Sequence, residues 1–223
     1  VSALLGPCIT VNINIMVIPA SGCWQSENGV THWRTDDLVG GDVILDFVNT
    51  VGDTGKSREM ERLASWPDAV GWAGFVGLID PAEAGGLRAA GDGTAALAGL
   101  RALRETVYAV LSARAAGVDP DDGSLKAVEA AIRETLAVSR LSSDGGTAVW
   151  RLMPAPCDPD LIRHRLALRL LHLLGGPELP RLRECTRCPW LFLDHGRGRG
   201  RSWCRMSTCG NRAKAERYRA SRV

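Results

Sequence analysis

The chain has 223 residues, 45% of them hydrophobic and 23% charged, with a formal net charge of +2. That length holds one domain of ordinary size with a small appendage, and that apolar content builds a core without disulfide staples. No apolar run approaches the roughly eighteen residues a membrane-spanning helix needs, and seven unevenly spread cysteines do not make the framework of a small secreted protein. Thiolates held by a metal in a reducing cytoplasm fit this usage better.

The near-zero balance hides an asymmetry. Residues 181–223 carry twelve Lys and Arg against three Asp and Glu, whereas the remaining 180 residues carry fifteen against twenty-two. Opposite signs in two parts of one chain point to a polyanion-binding tail on an acidic body.

Taken in order, Val1 to Pro19 is apolar and β-branched but lacks the basic start of a signal peptide, and Met16 offers an alternative start. Residues 1–37 read as a leader without structure, and folded sequence is expected from Leu38. The alternation of Val43, Leu45 and Phe47 within Asp42–Thr50 predicts a strand or short extended entry. A polar loop, Gly52 to Arg58, follows. Ser65-Trp-Pro-Asp68 and Asp80-Pro-Ala-Glu83 each place a capping residue and a proline before an acid at the third position, so helices are predicted to about Leu78 and Ala90. From Ala95 to Ala116, Leu97, Leu100, Val107, Val110 and Leu111 recur at helical steps, and Gly117 closes the segment. Leu125, Val128, Ile132 and Leu136 mark another amphipathic helix. Asp144-Gly-Gly146 reads as a hairpin turn between Ser139–Ser142 and Thr147–Leu152. Asp158-Pro159 opens a leucine-rich helix, Leu161 to Leu174, and Gly175-Gly-Pro177 ends the body.

Cys185-x2-Cys188 and Cys204-x4-Cys209 follow in the basic tail. Two close pairs on either side of a short insert suit a tetrahedral four-thiolate zinc site. An iron–sulfur cluster, a redox dithiol and a pair of disulfides are the alternatives, but this pair follows a buried helix and not a strand of a βαβ unit. Trp190–Leu193 and Ser202-Trp203 are predicted as paired strands with His195–Arg201 as their loop, and Cys209 as the start of a helix to about Ser221. A thiolate there gains from the helix dipole. Four protein ligands leave no place for a reacting water, so the site reads as structural, and the ion would drive folding of a segment too small to fold alone.

The string Arg183-Glu-Cys185-x2-Cys188-x-Trp-Leu-Phe-Leu-Asp194, then Arg201-Ser-Trp-Cys-Arg-Met206 and Cys209-Gly-Asn-Arg212-x-Lys214, resembles the CGNR zinc finger family. Leu45-Asp-Phe-Val-Asn-Thr50 with the segment from Leu63 to Leu78 resembles the ABATE domain that usually precedes this finger. Where the family commonly has a Ser-Arg-Asn-like stretch after Phe-x-Asp, this chain has His195-Gly-Arg-Gly198. The resemblance implies a mainly α fold with small β hairpins: a mostly helical ABATE-like body, 38–176, followed by a zinc-stapled hairpin and helix, 181–223. It implies one structural zinc on Cys185, Cys188, Cys204 and Cys209, and a stress-induced transcription regulator.

DNA is the expected partner, its phosphates met by Arg197, Arg199, Arg201, Arg205, Arg212, Lys214, Arg217 and Arg219. Some of these arginines also have a simpler duty, balancing the charge of four thiolates. Trp190, Phe192 and Trp203 read as the core of the small module. In the body, Asp46, Asn49, Thr50 and Arg58 are either a small-molecule effector pocket or local caps; the body is read as effector-sensing or as a homodimer contact. None of His32, His164, His172 and His195 sits in a catalytic pattern, and Gly85-Gly86 and Gly91-x-Gly93 follow no strand, so no enzyme is expected. Two other readings stand beside the regulator: a zinc-stapled protein-interaction factor, and a small-molecule binder whose finger is only structural.

Overall fold

The computed structural model describes residues 31–52, 55–91, 93–145, 147–153, 157–196 and 200–222. The expectation of an unstructured leader over residues 1–30 lies outside them. Residues 31–37, placed in that leader by sequence, are pinned to the body: the Thr31 amide donates to Asp68 Oδ1 at 2.6 Å, and Asp37 pairs with Arg62 at 2.9 Å.

The strand predicted over Asp42–Thr50 is a helix, α1 (Val43–Val48). Asp42 is extended and its carboxylate accepts the Ile44 amide at 3.0 Å, an N-cap. Val43, Ile44, Leu45, Phe47 and Val48 are all buried. A short helix enclosed on every side shows no helical period, so its alternating apolar residues imitate a strand.

The capped helices form where their punctuation predicts. In α2 (Trp66–Phe75) Ser65 and Asp68 close a reciprocal capping box, and in α3 (Pro81–Ala89) Asp80 and Glu83 do the same. The longest helix, α4 (Thr94–Ala116), buries Leu97, Leu100, Leu103, Val107, Val110 and Leu111, and Gly117 ends it at a left-handed φ of 73°. α5 (Asp122–Ala137) leads into an antiparallel hairpin, β1 (Ser139–Asp144) and β2 (Thr147–Leu152), in which Leu141 faces Trp150. α6 (Leu161–Gly175) buries Leu161, Ile162, Leu166, Leu170 and Leu173.

The arginines buried in this core are paired with carboxylates. Arg104 on α4 is bidentate to Glu61 at 2.7 and 2.6 Å, and Arg165 on α6 is bidentate to Glu83 at 2.7 Å while also donating to Leu78 O. Arg169 binds the Asp42 carboxylate and so ties α6 to the cap of α1.

The strand pairing in the C-terminal region differs from the one predicted. β3 (Leu182–Glu184) pairs antiparallel with β4 (Leu191–Leu193), Leu182 opposite Leu193 and Glu184 opposite Leu191. The cysteine knuckle is therefore the turn of the hairpin, and among the described residues Ser202-Trp203 pairs with no strand. Leu182, Leu191 and Leu193 belong to the same buried cluster as α1, α4 and α6. A π-helical turn, Met206–Gly210, then leads into α7 (Asn211–Ala220), which buries none of its residues.

Candidate metal centre

Cys185 and Cys188 sit on the β3–β4 turn, whose register continues through the Cys185 amide to Trp190 O at 2.9 Å. The second pair is brought alongside by Thr186, whose amide and hydroxyl both donate to Ser202 O, at 3.0 and 3.1 Å. Cys204 follows that contact, and Cys209 lies in the turn that starts α7.

All four sulfurs are buried and lie within 4.8 Å of one another. Cys188 and Cys204 Sγ are 3.6 Å apart, and Cys204 and Cys209 Sγ 3.7 Å. A tetrahedron of sulfurs about 2.3 Å from a central zinc has edges of about 3.8 Å. A disulfide needs about 2.05 Å. The spacing therefore fits one enclosed ion and no cystine.

Cys185 is lowered, held as the thiolate by the thiols of Cys188 and Cys204. The same sulfur–sulfur contacts, then burial, push Cys188 and Cys204 up, and burial followed by the Cys185 charge raises Cys209. A zinc ion takes the place of the shared protons and lets all four act as thiolates. With four sulfur ligands it has no open position, so it staples the segment.

Around the sulfurs stands a small core of its own: Phe192 buried, with Val39, Trp190 and Trp203 against it. The module is clasped to the body by polar contacts. Asn49 Nδ2 donates to Leu191 O at 2.8 Å while Leu191 N donates to Asn49 Oδ1 at 2.9 Å, so one side chain continues the sheet as a strand would. Trp190 Nε1 donates to Gly52 O at 2.6 Å. The Leu193 amide donates to Gly40 O, and Glu184 is held by Ser112 of α4 and by Lys56.

The other polar residues singled out in the body are also engaged internally. Asp46 Oδ1 accepts the Gly40 amide at 2.8 Å, and Thr50 Oγ1 donates to Phe47 O and accepts from Arg104. Arg58 pairs with Glu105 at 2.8 Å and stacks on Tyr108. Burial pushes the Asp46 carboxyl up to about 7; the Gly40 amide opposes the shift and the Asp42 charge adds to it.

The basic residues fall into distinct settings. Arg197 and Arg199 lie outside the described residues. Arg201 stacks on Phe192 at 4.3 Å, and its amide donates to Asp194 Oδ2. Arg205 pairs with Asp36 at 3.0 Å. Arg212, Lys214, Arg217 and Arg219 are exposed on α7. Sequence reasoning missed the clasp through Asn49 and the part played by residues 31–39. Trp33-Arg34 before Leu38 was the available signal, since Arg62 stacks on that tryptophan at 4.4 Å.

A mostly helical body with a four-cysteine hairpin and helix is the architecture of an ABATE protein with a CGNR finger. Residues 41–177 match the ABATE family model, described as "Putative stress-induced transcription regulator", and residues 181–222 match the CGNR zinc finger. The chain belongs to the ABATE family and carries a CGNR zinc finger. These are regulator and zinc-finger families and not enzyme families. No curated protein matches the chain. Among the described residues no helix is long and apolar enough to cross a membrane.

Proposed function

We propose that the protein is a cytoplasmic DNA-binding transcription regulator whose zinc module presents basic residues to phosphates. The observation that carries this reading is α7: a helix fixed at its start by the cysteine turn, with no residue buried, exposing Arg212, Lys214, Arg217 and Arg219. A helix that packs against nothing gains no stability from burial, and a basic one is suited to a polyanion. Arg197 and Arg199 would join it from the preceding Gly-Arg segment. Arg201 and Arg205 contribute less freely, being committed to Phe192 and Asp36.

The test is fluorescence anisotropy of the zinc-loaded protein on mixed-sequence duplex and single strands across a salt series. Log K should fall linearly with log salt, by about 0.9 for each duplex phosphate contacted. Replacing Arg197, Arg199, Arg217 and Arg219 with Ala should remove most of the binding and flatten that slope while zinc content stays at one per chain. Fully metallated wild type that shows no salt-sensitive binding to either form would sink the proposal and favour the protein-interaction reading. Where salt-sensitive binding is found, a genome-wide DNA-association measurement supplies the target.

A further inference from the structure

A cavity of about 520 Å³ lies between the zinc module and the body, and Cys188, Cys204 and Cys209 of the metal centre form part of its wall. One wall is the stretch just before both family matches, with Arg34, Asp36 and Asp37. The body contributes Met60 and Arg62, and the finger Trp190, Arg205 and Arg212. Volume and setting are those of small-molecule sites, which favour junctions between packed units.

Its charges do not cancel pairwise. Asp37 is taken by Arg62 at 2.9 Å, Asp36 by Arg205 at 3.0 Å and Glu61 by Arg104 at 2.6 Å. Among the described residues the guanidinium groups of Arg34 and Arg212 have no carboxylate partner, although both line the cavity. Val39, Met60 and Trp190 give the same space apolar surface.

Balancing the thiolates is the competing duty for these arginines. Arg187, between the two knuckle cysteines, is placed for that duty. We propose that the cavity binds a small organic anion with an apolar body, its acidic head held by Arg34 and Arg212. Such a ligand touches residue 34 ahead of the body and residue 212 in the first turn of α7, so it would tie the basic helix to the body. Its binding does not depend on whether the tail meets nucleic acid.

8-Anilinonaphthalene-1-sulfonate supplies both features and a fluorescent readout. The zinc-loaded full chain should bind it saturably, one per chain. Arg34→Gln and Arg212→Gln should each weaken it about tenfold or more, the loss expected for a charge-assisted contact. The uncharged N-phenyl-1-naphthylamine should bind these variants as it binds wild type, and Met60→Trp, filling the cavity from a residue of the body wall, should block both probes. Wild-type affinity in the arginine variants, many probes per chain, or undiminished binding in Met60→Trp would each overturn the proposal. So would loss of zinc from the arginine variants on elemental analysis, which would assign these side chains to the sulfurs.

Discussion

The body and the zinc module reach a folded state by different means. In the body, α1, α2, α4 and α6 bury a continuous set of leucines, valines and tryptophans, and its buried arginines are paired with carboxylates. The module buries Phe192 and four cysteines, and its last helix buries nothing. Apolar transfer stabilises the first; the second depends on metal–sulfur bonds. They are not independent, because Leu182, Leu191 and Leu193 flank the sulfurs yet lie in the body's core.

Metal removal is the severest way to break that comparison. Cys204→Ser, or chelation of wild type, should unfold residues 181–222. Exposing three buried leucines costs about 1.5–3 kcal/mol each, comparable with the whole stability of a typical domain. The body should therefore melt far earlier, and wild type should unfold in one transition on calorimetry. Two resolved transitions, with the body's midpoint unmoved by chelation, would make the module a true appendage.

What the sequence disclosed follows the range of the forces concerned. Ser65, Asp80 and Gly117 act within one turn of chain, and the elements they punctuate form where expected. The zinc set was readable because knuckle spacing is also local. The strand assigned to Asp42–Thr50 failed because α1 is buried all round and its pattern carries no face. The finger's pairing failed for a related reason: the run of glycines and arginines after His195 drew the hairpin turn to itself, whereas the true turn is the knuckle and the partner strand precedes it. Asn49 could not be read at all. Its partner, Leu191, is 142 residues away, and nothing in a lone asparagine announces that it stands in for a strand.

The clasp at Asn49 gives the next largest effect. Asn49→Ala strands the buried N–H and C=O of Leu191, each costing about 1–3 kcal/mol. Urea melts should show a loss of about 2–5 kcal/mol, and hydrogen exchange should place the new opening at β4 while zinc content is unchanged. Asn49→Asp keeps the acceptor for the Leu191 amide but sets a carboxylate against the Leu191 carbonyl, so it should rescue little. Opening confined to α2 or α3 would refute the clasp.

Asp46 comes third, with a sign opposite to that of its neighbours. Its folded pKa, raised by burial from 3.8 to about 7, means that the neutral carboxyl is the stabilising form. That contribution is complete below about 4 and is lost as pH rises through 7. Glu61 and Glu105 behave conversely. Burial alone would raise them, but hydrogen bonds, from Arg104 to Glu61 and from Arg58 and Arg104 to Glu105, hold them low, so their contribution is present above 4.5 and fades in acid. Asp46→Asn should keep the bond from the Gly40 amide, remove the slope between about pH 4 and 7, and stabilise the protein at pH 8 by about 2–3 kcal/mol. An unchanged slope would show that another group carries it.

The smallest effect tests how α7 is held beyond its first turn. Arg187, between the two knuckle cysteines, forms a bidentate pair with Glu216 on α7, the arginine 23% and the glutamate 49% exposed. Exposed pairs add little to global stability, so Glu216→Ala should leave the melting midpoint and zinc content where they are. Its effect belongs to orientation: α7 has no apolar face to dock, and this pair is its contact back to the knuckle. Amides of residues 211–220 should exchange faster in Glu216→Ala, with no change at β3 or β4. Exchange that stays at the wild-type rate would mean that the π-helical turn alone sets the direction of the basic helix.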